Sequence, residues 1–536
     1  MNICKSCGAE MIFDIASQKL RCPFCDRKKD PGRIKDLGKT AEEKKITEMD
    51  VIRYTCPQCG GSIYSTKQSI NGFCSYCGSN VIIESQMAKM EYPRYVAPFR
   101  IDKEACKKYY LKHVKKAFFA PKEMKDPGHL DQFRGIYMTY WGYDVKVEGF
   151  IYLDGSKRLK VGNNVMTERY KCMGWLDAMY DNIFFDASSF FEDHFSEQIA
   201  PFDYNGLQEF TPAYLSGFYA DLPDLEDDVY EENALYIAKE KAYKSTRLKK
   251  YFPGVKFDEQ QKDKFDTELD LKCNWSYTTF FPIWFLAYRN RDRVAYAVVN
   301  GQTGRVACDL PIDPAKFMIT GMLLAAVIFV MLYFMPPARP VVLLLAGEFF
   351  SLISVLLLAY MIKKVYIRKE KVYDKGFLSK TSQLNYKYQL KTESDRRLEK
   401  AKRNGLIPLI VAGVLAGIPI IFYLFSKAAG GFLFLATLIL AIVTEAVVIK
   451  VTEFIIDVDP NGKIKLLFGI WMTFIWSVYC IYLILKKEAT ADDINVAVFL
   501  QMSGTLIAQL MALEQYNLLS TRPLPQLNRK GGNTNA

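Results

Sequence analysis

Between residues 92 and 315 apolar side chains recur at every second position over long stretches, as in "FRGIYMTYWGYDVKVEGFIYLDG" and "SYTTFFPIWFLAYRNRDRVAYAVVNGQTGRVACDLP". Alternation built from aromatic and β-branched residues predicts antiparallel strands. Asp154-Gly155 and Asn300-Gly301 read as hairpin turns between them. The period lengthens in "DKEACKKYYLKHVKKAFFA" and "ENALYIAKEKAYKS", where the spacing predicts helices. An aromatic-rich α+β domain over 91–315 is expected.

After Phe317 the pattern changes to apolar runs close to twenty residues long. Spans are predicted at Phe317 to Phe334, Val341 to Ile362, Leu406 to Phe425, Phe432 to Ile449 and Leu466 to Leu485. A sixth, at Val496 to Leu513, is interrupted by Gln501, Ser503 and Gln509. The segment from Lys363 to Gly405 carries 14 Lys and Arg against 5 Asp and Glu, so the positive-inside rule places it in the cytosol and returns the N-terminus to the same side. Glu348 and Glu445 fall inside these spans, where a carboxylate is costly unless protonated or paired. They are the candidate residues for an ion path, or for hydrogen bonds between helices.

The chain has 13 cysteines, eight of them in four C-x-x-C pairs. Cys4, Cys7, Cys22 and Cys25 form one set and Cys56, Cys59, Cys74 and Cys77 a second, displaced from the first by 52 positions throughout. The match marks an internal duplication. Two residues between cysteines let one turn present both sulfurs to one ion, and Pro23, Gly8, Gly60 and Gly78 suit such turns. Two turns complete an S₄ shell, for which Zn²⁺ is the default cytosolic ion. Two structural zinc ribbons are expected, holding two Zn²⁺ ions. A redox dithiol, an iron–sulfur site and incidental cysteines are the competing readings, and four-fold repetition in matched pairs disfavours the first. A shell filled by protein leaves no open position for catalysis.

Charge narrows the partner class. Residues 1–90 hold 14 Lys and Arg against 10 Asp and Glu, and two tetrathiolate zinc sites cancel the excess. A near-neutral region is poorly suited to neutralising phosphates, so nucleic acid is not the expected partner. Nor does the middle of the chain assemble a catalytic signature. It lacks G-x-S-x-G, Walker and dinucleotide glycine motifs, and the whole chain has three histidines, His113, His129 and His194. Asp186, Asp193 and Asp203 have no fixed metal-binding spacing, and Cys106, Cys172, Cys273, Cys308 and Cys480 read as small buried apolar residues. The N-terminus shows no basic and apolar leader pattern, which also predicts a cytosolic start. No enzyme activity is expected.

The segments "YVAPFRIDKEAC", "GIYMTYWGYD", "APFDYNGLQEFTPAYLSGFYADL" and "FFPIWFLAYRNRDRVAYAVVNGQTGRVACDLPID", preceded by the cysteine pairs, resemble the bacterial TFIIB-type zinc-ribbon membrane proteins, the YdjG-like group, over residues 1–315. The resemblance implies a non-enzymatic membrane component that works with partner membrane proteins in recruiting a phage-shock-type coat protein. A helicase-like label of the PriA type has been attached to such cysteine pairs, but no helicase motif accompanies them here. The expected fold is multidomain: zinc ribbon 1 at 1–30, a charged linker at 31–52, zinc ribbon 2 at 53–90, the α+β domain at 91–315, a transmembrane hairpin at 316–363, a basic cytosolic loop at 364–405, transmembrane helices three to six at 406–516 and a polar tail at 517–536. The expected function is a cell-membrane, multi-pass adaptor with cytoplasmic ribbons that binds protein partners beside the lipid bilayer. A ribbon-regulated transporter and a nucleic-acid binder are the alternatives.

Overall fold

The structure is a computed structural model that describes residues 3–32, 48–65, 74–79, 84–161, 164–188, 191, 193–246, 253–257, 269–333, 475, 479, 482 and 490–524. A small three-stranded sheet comes first: β1 (Ile12–Asp14), β2 (Lys19–Arg21) and β3 (Lys28–Lys29). A sheet of 13 strands follows. It contains β4 (Glu48–Thr55), β5 (Ser62–Ser65), β6 (Glu84–Glu91), β7 (Tyr95–Val96), β8 (Arg134–Val161), β9 (Asn164–Asp186), β10 (Gln208–Glu209), β11 (Tyr219–Ala220), β12 (Lys256–Phe257), β13 (Leu269–Asn290), β14 (Arg293–Asn300), β15 (Val306–Cys308) and β16 (Arg522–Pro523). The helices among the described residues are α1 (Lys103–Val114), α2 (Pro127–Leu130), α3 (Asp193–Ile199), α4 (Glu231–Thr246), α5 (Pro314–Tyr333) and α6 (Ala491–Ser520), with short 3₁₀ turns between.

The centre of the sheet is β13, paired antiparallel to β8 on one side and β14 on the other. Its run "TTFFPIWFLA" is buried throughout because the strand has a core on each face. Phe280, Trp284 and Leu286 enter one core while Phe281, Ile283, Phe285 and Ala287 enter the other. Successive strand side chains point to opposite faces, so a continuous apolar run is what a strand covered on both sides requires. The strand β14 divides in the same way, with Ala297 and Val299 on one side and Val294, Tyr296 and Val298 on the other.

Helices occupy the two segments whose period predicted them. Asp102 caps α1 by accepting from the Ala105 N–H at 2.7 Å, and Cys106, Tyr110 and Val114, spaced four apart, form its buried stripe. In α4 the buried positions Ala234, Ala238 and Ala242 are small, which lets the helix lie close on β8, β9 and β13. The other face of β8 and β9 leaves Tyr152, Met173, Trp175 and Met179 exposed, Tyr152 directly opposite Met173.

The two turn predictions fare differently. Asn300 does end β14, and its side chain accepts from the Gln302 and Thr303 N–H groups at 2.8 and 3.0 Å before the chain enters β15. Asp154-Gly155, by contrast, is no turn: β8 runs through it to Val161, with Gly155 opposite both Tyr170 of β9 and Phe257 of β12. A Cβ at Gly155 would lie 2.2 Å from Val255 Cγ1. The glycine permits a close backbone approach rather than a reversal.

The fold class needs a larger correction. The described chain is mostly β-sheet with few helices, and among the described residues no helix is long and apolar enough to cross a membrane. This overturns the expected all-α multi-span region and, with it, the cell-membrane localisation, the multi-pass membrane adaptor and the transporter alternative. Within the described chain the buried apolar residues lie mostly in strands and in the segments packed on them, while α5 leaves Ile319, Met322, Leu323, Val327 and Val330 exposed. The first expected span coincides with α5, only part of whose side chains are described. The sixth lies in α6, which carries Asp492, Asp493 and Glu514 and is tied to the β-sheet body at its C-terminal end. There Asn517 Nδ2 donates to the Ile312 carbonyl at 2.8 Å, and Arg522 pairs with Asp309 at 2.9 Å. The expected spans at 341–362, 406–425 and 432–449 lie outside the described residues, as do Glu348, Glu445 and Cys480; of 466–485 only residues 475, 479 and 482 are described.

Candidate metal centres

The four C-x-x-C turns share one backbone design. In each, the N–H of the first cysteine donates to the carbonyl five residues on, and the N–H four residues on donates back to the first cysteine's carbonyl. The pairs are Cys4–Ala9 and Gly8–Cys4 at 2.8 and 2.9 Å, Cys22–Arg27 and Asp26–Cys22 at 2.9 and 3.0 Å, Cys56–Gly61 and Gly60–Cys56 at 2.9 and 2.7 Å, and Cys74–Ser79 and Gly78–Cys74 at 2.9 and 3.0 Å. The fifth position sits at positive φ: 73° at Gly8, 74° at Gly60, 66° at Gly78, and 60° at Asp26. Three turns use glycine there, while the fourth uses an aspartate ion-paired to Arg21. The same two hydrogen bonds recur at Asn300, with Arg305 and Gly304, so "VNGQTG" has the backbone of a metal turn with no cysteine in it.

These turns bring together the two predicted sets of ligands. The sulfurs of Cys4, Cys7, Cys22 and Cys25 lie within 4.8 Å of one another, as do those of Cys56, Cys59, Cys74 and Cys77, so each group could hold a metal ion. Among the Sγ–Sγ distances are 3.3 Å for Cys7–Cys22, 3.5 Å for Cys4–Cys25, 3.7 Å for Cys59–Cys74 and 3.8 Å for Cys56–Cys77.

The clusters differ in their settings. The first rests on the body of the protein through β1. The Phe13 N–H donates to the Ser216 carbonyl at 2.8 Å, the Phe13 ring lies 5.1 Å from Tyr214, and Gln18 Nε2 donates to the Phe99 carbonyl at 2.7 Å. Burying a phenylalanine side chain in this way is worth about 1.5–3 kcal/mol. Cys4 and Cys22 face this contact and are buried, while Cys7 and Cys25 remain exposed.

The second cluster is built into the large sheet. Its strands β4, β5 and β6 join β8 through β11, and all four of its cysteines are buried. Gly78 lies against Arg289 and Ala287 near the end of β13, and Gln58 accepts from Arg289 at 3.3 Å.

Around the second set lie polar groups that spacing did not reveal. Ser79 Oγ is 2.9 Å from Cys77 Sγ; aligning the four turns would have singled out this hydroxyl, since the matching positions are Ala9, Arg27 and Gly61. Tyr76, buried between Cys74 and Cys77, donates its hydroxyl to Asp221 at 2.9 Å and to the Ser62 carbonyl at 3.1 Å. Burial raises the Asp221 carboxyl to about 7. Arg134 is also buried, with its guanidinium 5.2 Å from the centre of the Tyr219 ring. No local sequence signal points to Asp221 or Arg134, because Arg134 opens β8 and Asp221 directly follows β11, both far along the chain.

Without a metal the thiols of each cluster share protons unevenly. Hydrogen bonds from the Ser6 and Cys7 backbone bring Cys4 down to about 6. Cys7, although a bond from the Ala9 backbone lowers it, is pushed up to about 12 by hydrogen bonding to Cys22. In the second cluster Cys59 and Cys74 hold Cys77 far below the thiol range, while Cys56 and Cys59 push Cys74 far above it. A bound dication would take the place of the shared protons, which makes its affinity rise with pH.

Among the described residues, the others picked from the sequence do not gather into a metal-binding group. Asp203 is ion-paired with Arg100 at 2.7 Å, and Asp186 is buried at the end of β9. His113 is in the last turn of α1, whereas His129 stands edge-on to Tyr288 with ring centres 5.7 Å apart. Cys106, Cys172 and Cys308 are buried, and burial raises the Cys106 thiol.

Comparison with known proteins adds one distant likeness. The chain is 24% identical over 317 residues to "Uncharacterized protein YdjG" of Bacillus subtilis (strain 168), the match covering 58% of this chain and 90% of that protein. No family model matches the chain, and no solved structure matches it. The described residues therefore establish two four-cysteine clusters on a β-rich fold, and the sequence is distantly similar to that protein, with no zinc-ribbon family identified.

Proposed function

We propose that the chain is a two-zinc, non-enzymatic binding protein in which Zn²⁺ holds each pair of cysteine turns together and thereby fixes both ribbons against the sheet. The observation that carries the reading is the convergence of eight cysteines into two groups of four sulfurs, each group within 4.8 Å. A tetrahedral zinc with four thiolates at about 2.3 Å has sulfur–sulfur edges of about 3.8 Å. The 3.7 and 3.8 Å separations of the second cluster fit that shell, and the 3.3 and 3.5 Å separations of the first fit it after a small expansion. Four thiolates saturate the ion, so its contribution is structural.

Protein is the partner class we propose. The exposed face carrying Tyr152, Met173, Trp175 and Met179 has the residue types enriched at protein interfaces. Within this face Lys146 is paired with Glu148 and lies 3.9 Å from Asp177.

Elemental analysis of the purified chain tests the metal reading. Two zinc equivalents are expected, falling to one in Cys7→Ser and in Cys59→Ser. Substoichiometric zinc in the unaltered protein, or a full two equivalents in either variant, would refute it.

A further inference from the structure

Two of the eight candidate ligands differ from the rest in what surrounds them. In the second cluster every cysteine is buried beneath the chain's own strands, whereas Cys7 and Cys25 of the first are exposed. The exposure extends to their neighbours, since Phe24, between Cys22 and Cys25, is 83% exposed and Ile3 is 57% exposed. The Sγ atoms of Cys7 and Cys25 are 3.7 Å apart. Their inner partners, Cys4 and Cys22, are locked into the core with Met11, Phe13 and Leu20.

We infer that Cys7 and Cys25 form a thiol-oxidation site, at which a hydroperoxide converts the pair to a disulfide and releases the first metal while the second stays bound. The inference rests on the two-zinc reading. The Cys7 thiolate attacks one peroxide oxygen and the O–O bond breaks, giving a sulfenic acid on Cys7 and a hydroxide. The Cys25 thiolate then attacks the Cys7 sulfur, forming the S–S bond and expelling the sulfenic oxygen as a second hydroxide. Two electrons pass from the sulfurs to the peroxide, and the two hydroxides take protons from the medium. The sulfurs must close from 3.7 Å to about 2.05 Å, a movement confined to the exposed tips of two turns. Cys22 is nearer to Cys7, at 3.3 Å, but its place in the core holds it back from both the oxidant and the movement. Two thiolates no longer complete a zinc shell, so the cation leaves and Cys4 and Cys22 take up protons.

The contrast with the second cluster has a physical basis. Attack by a thiolate on a peroxide requires access, and Tyr76, Ser79 and the end of β13 deny it there. Release of the first ribbon would also uncover apolar surface, because β1 covers Tyr214 and Phe218 through Phe13.

The test uses the full, reduced chain, with zinc measured by elemental analysis before hydrogen peroxide is added. Release is followed with a chromogenic zinc indicator, and the thiols are mapped by mass spectrometry. Two zinc equivalents at the start are expected, with one released on oxidation, a Cys7–Cys25 disulfide formed, and Cys56, Cys59, Cys74 and Cys77 still reduced. Reduction with dithiothreitol in the presence of zinc should restore the second equivalent. Loss of both equivalents in one phase, release with Cys7 and Cys25 still reduced, or no release would each overturn the inference and leave the two-zinc reading standing. A starting content below two would overturn that reading and the inference with it.

Discussion

The Tyr76 hydroxyl lies 2.9 Å from Asp221 Oδ1, joining the last turn of the second cysteine cluster to a carboxylate 145 residues away in sequence. Tyr76 is 2% exposed and Asp221 6%, so the bond is made away from water. It fixes the Cys74–Cys77 turn to the start of the segment after β11. The metal cluster and the sheet thus meet through one neutral donor and one buried acid.

Removing the donor tests that connection. Tyr76→Phe keeps the ring and leaves the buried Asp221 without the tyrosine hydroxyl, which should cost about 1–3 kcal/mol. Urea unfolding at saturating zinc would read the loss. A variant within a few tenths of a kcal/mol of the parent would show that the bond contributes little.

The acid itself predicts a pH dependence. Because burial raises Asp221 to about 7 from 3.8, the folded chain retains a proton that the unfolded chain has already released across that interval. The stability this group contributes is therefore full below the lower value, falls as pH rises through the interval and levels off above about 7. Asp221→Asn stays neutral and escapes the fall. Between pH 5.5 and 7.5 the variant should gain on the parent in unfolding free energy, by at most about 1.4 kcal/mol per pH unit inside the interval. Thiol protonation affects both proteins alike and cancels in the comparison. A gap that does not move with pH would mean that Asp221 is ionised throughout.

Two glycines in the long hairpin separate close approach from mere strand propensity. A Cβ at Gly155 would meet Val255 at 2.2 Å, whereas at Gly174 it would meet nothing within 4 Å. Gly155→Ala should destabilise by about 1–3 kcal/mol through displacement of β12, and Gly174→Ala should be neutral or slightly stabilising. Thermal unfolding of the two variants distinguishes them, and equal effects would contradict the assigned contact.

At Gly8 the backbone can be tested without steric interference, because φ is +73° and no atom lies within 4 Å of a built Cβ. Gly8→Ala should cost about 1–2 kcal/mol in the metal-bound turn. Competition with a zinc chelator would show that as roughly a five- to thirty-fold weaker first site, with the second site unchanged. Unaltered affinity would show that the positive φ is not required for metal binding.

How much of this was legible in the sequence depended on the range of the interactions. The cysteine turns were readable because two residues between thiols is a local geometric constraint, and the glycines at Gly8, Gly60 and Gly78 reinforced it. The aspartate at Asp26 broke the glycine pattern without breaking the turn. The helices α1 and α4 were readable from their period. Asp154-Gly155 was misread because a glycine needed for a close approach by Val255, a hundred residues on, looks the same in sequence as one needed for a turn. The joining of β5 to β11 and the burial of the second cluster depend on pairings between distant segments, which a hydropathy pattern does not encode. The apolar runs after residue 317 were read as membrane spans from length and hydropathy alone, a criterion that no helix meets among the described residues.

X-ray absorption at the zinc edge of the purified, reduced chain tests the central claim most directly. Two zinc ions per chain, each with four sulfur neighbours at about 2.3 Å and no nitrogen or oxygen in the shell, is the predicted result. A protein without zinc, or zinc in a mixed shell with fewer than four sulfurs, would contradict it.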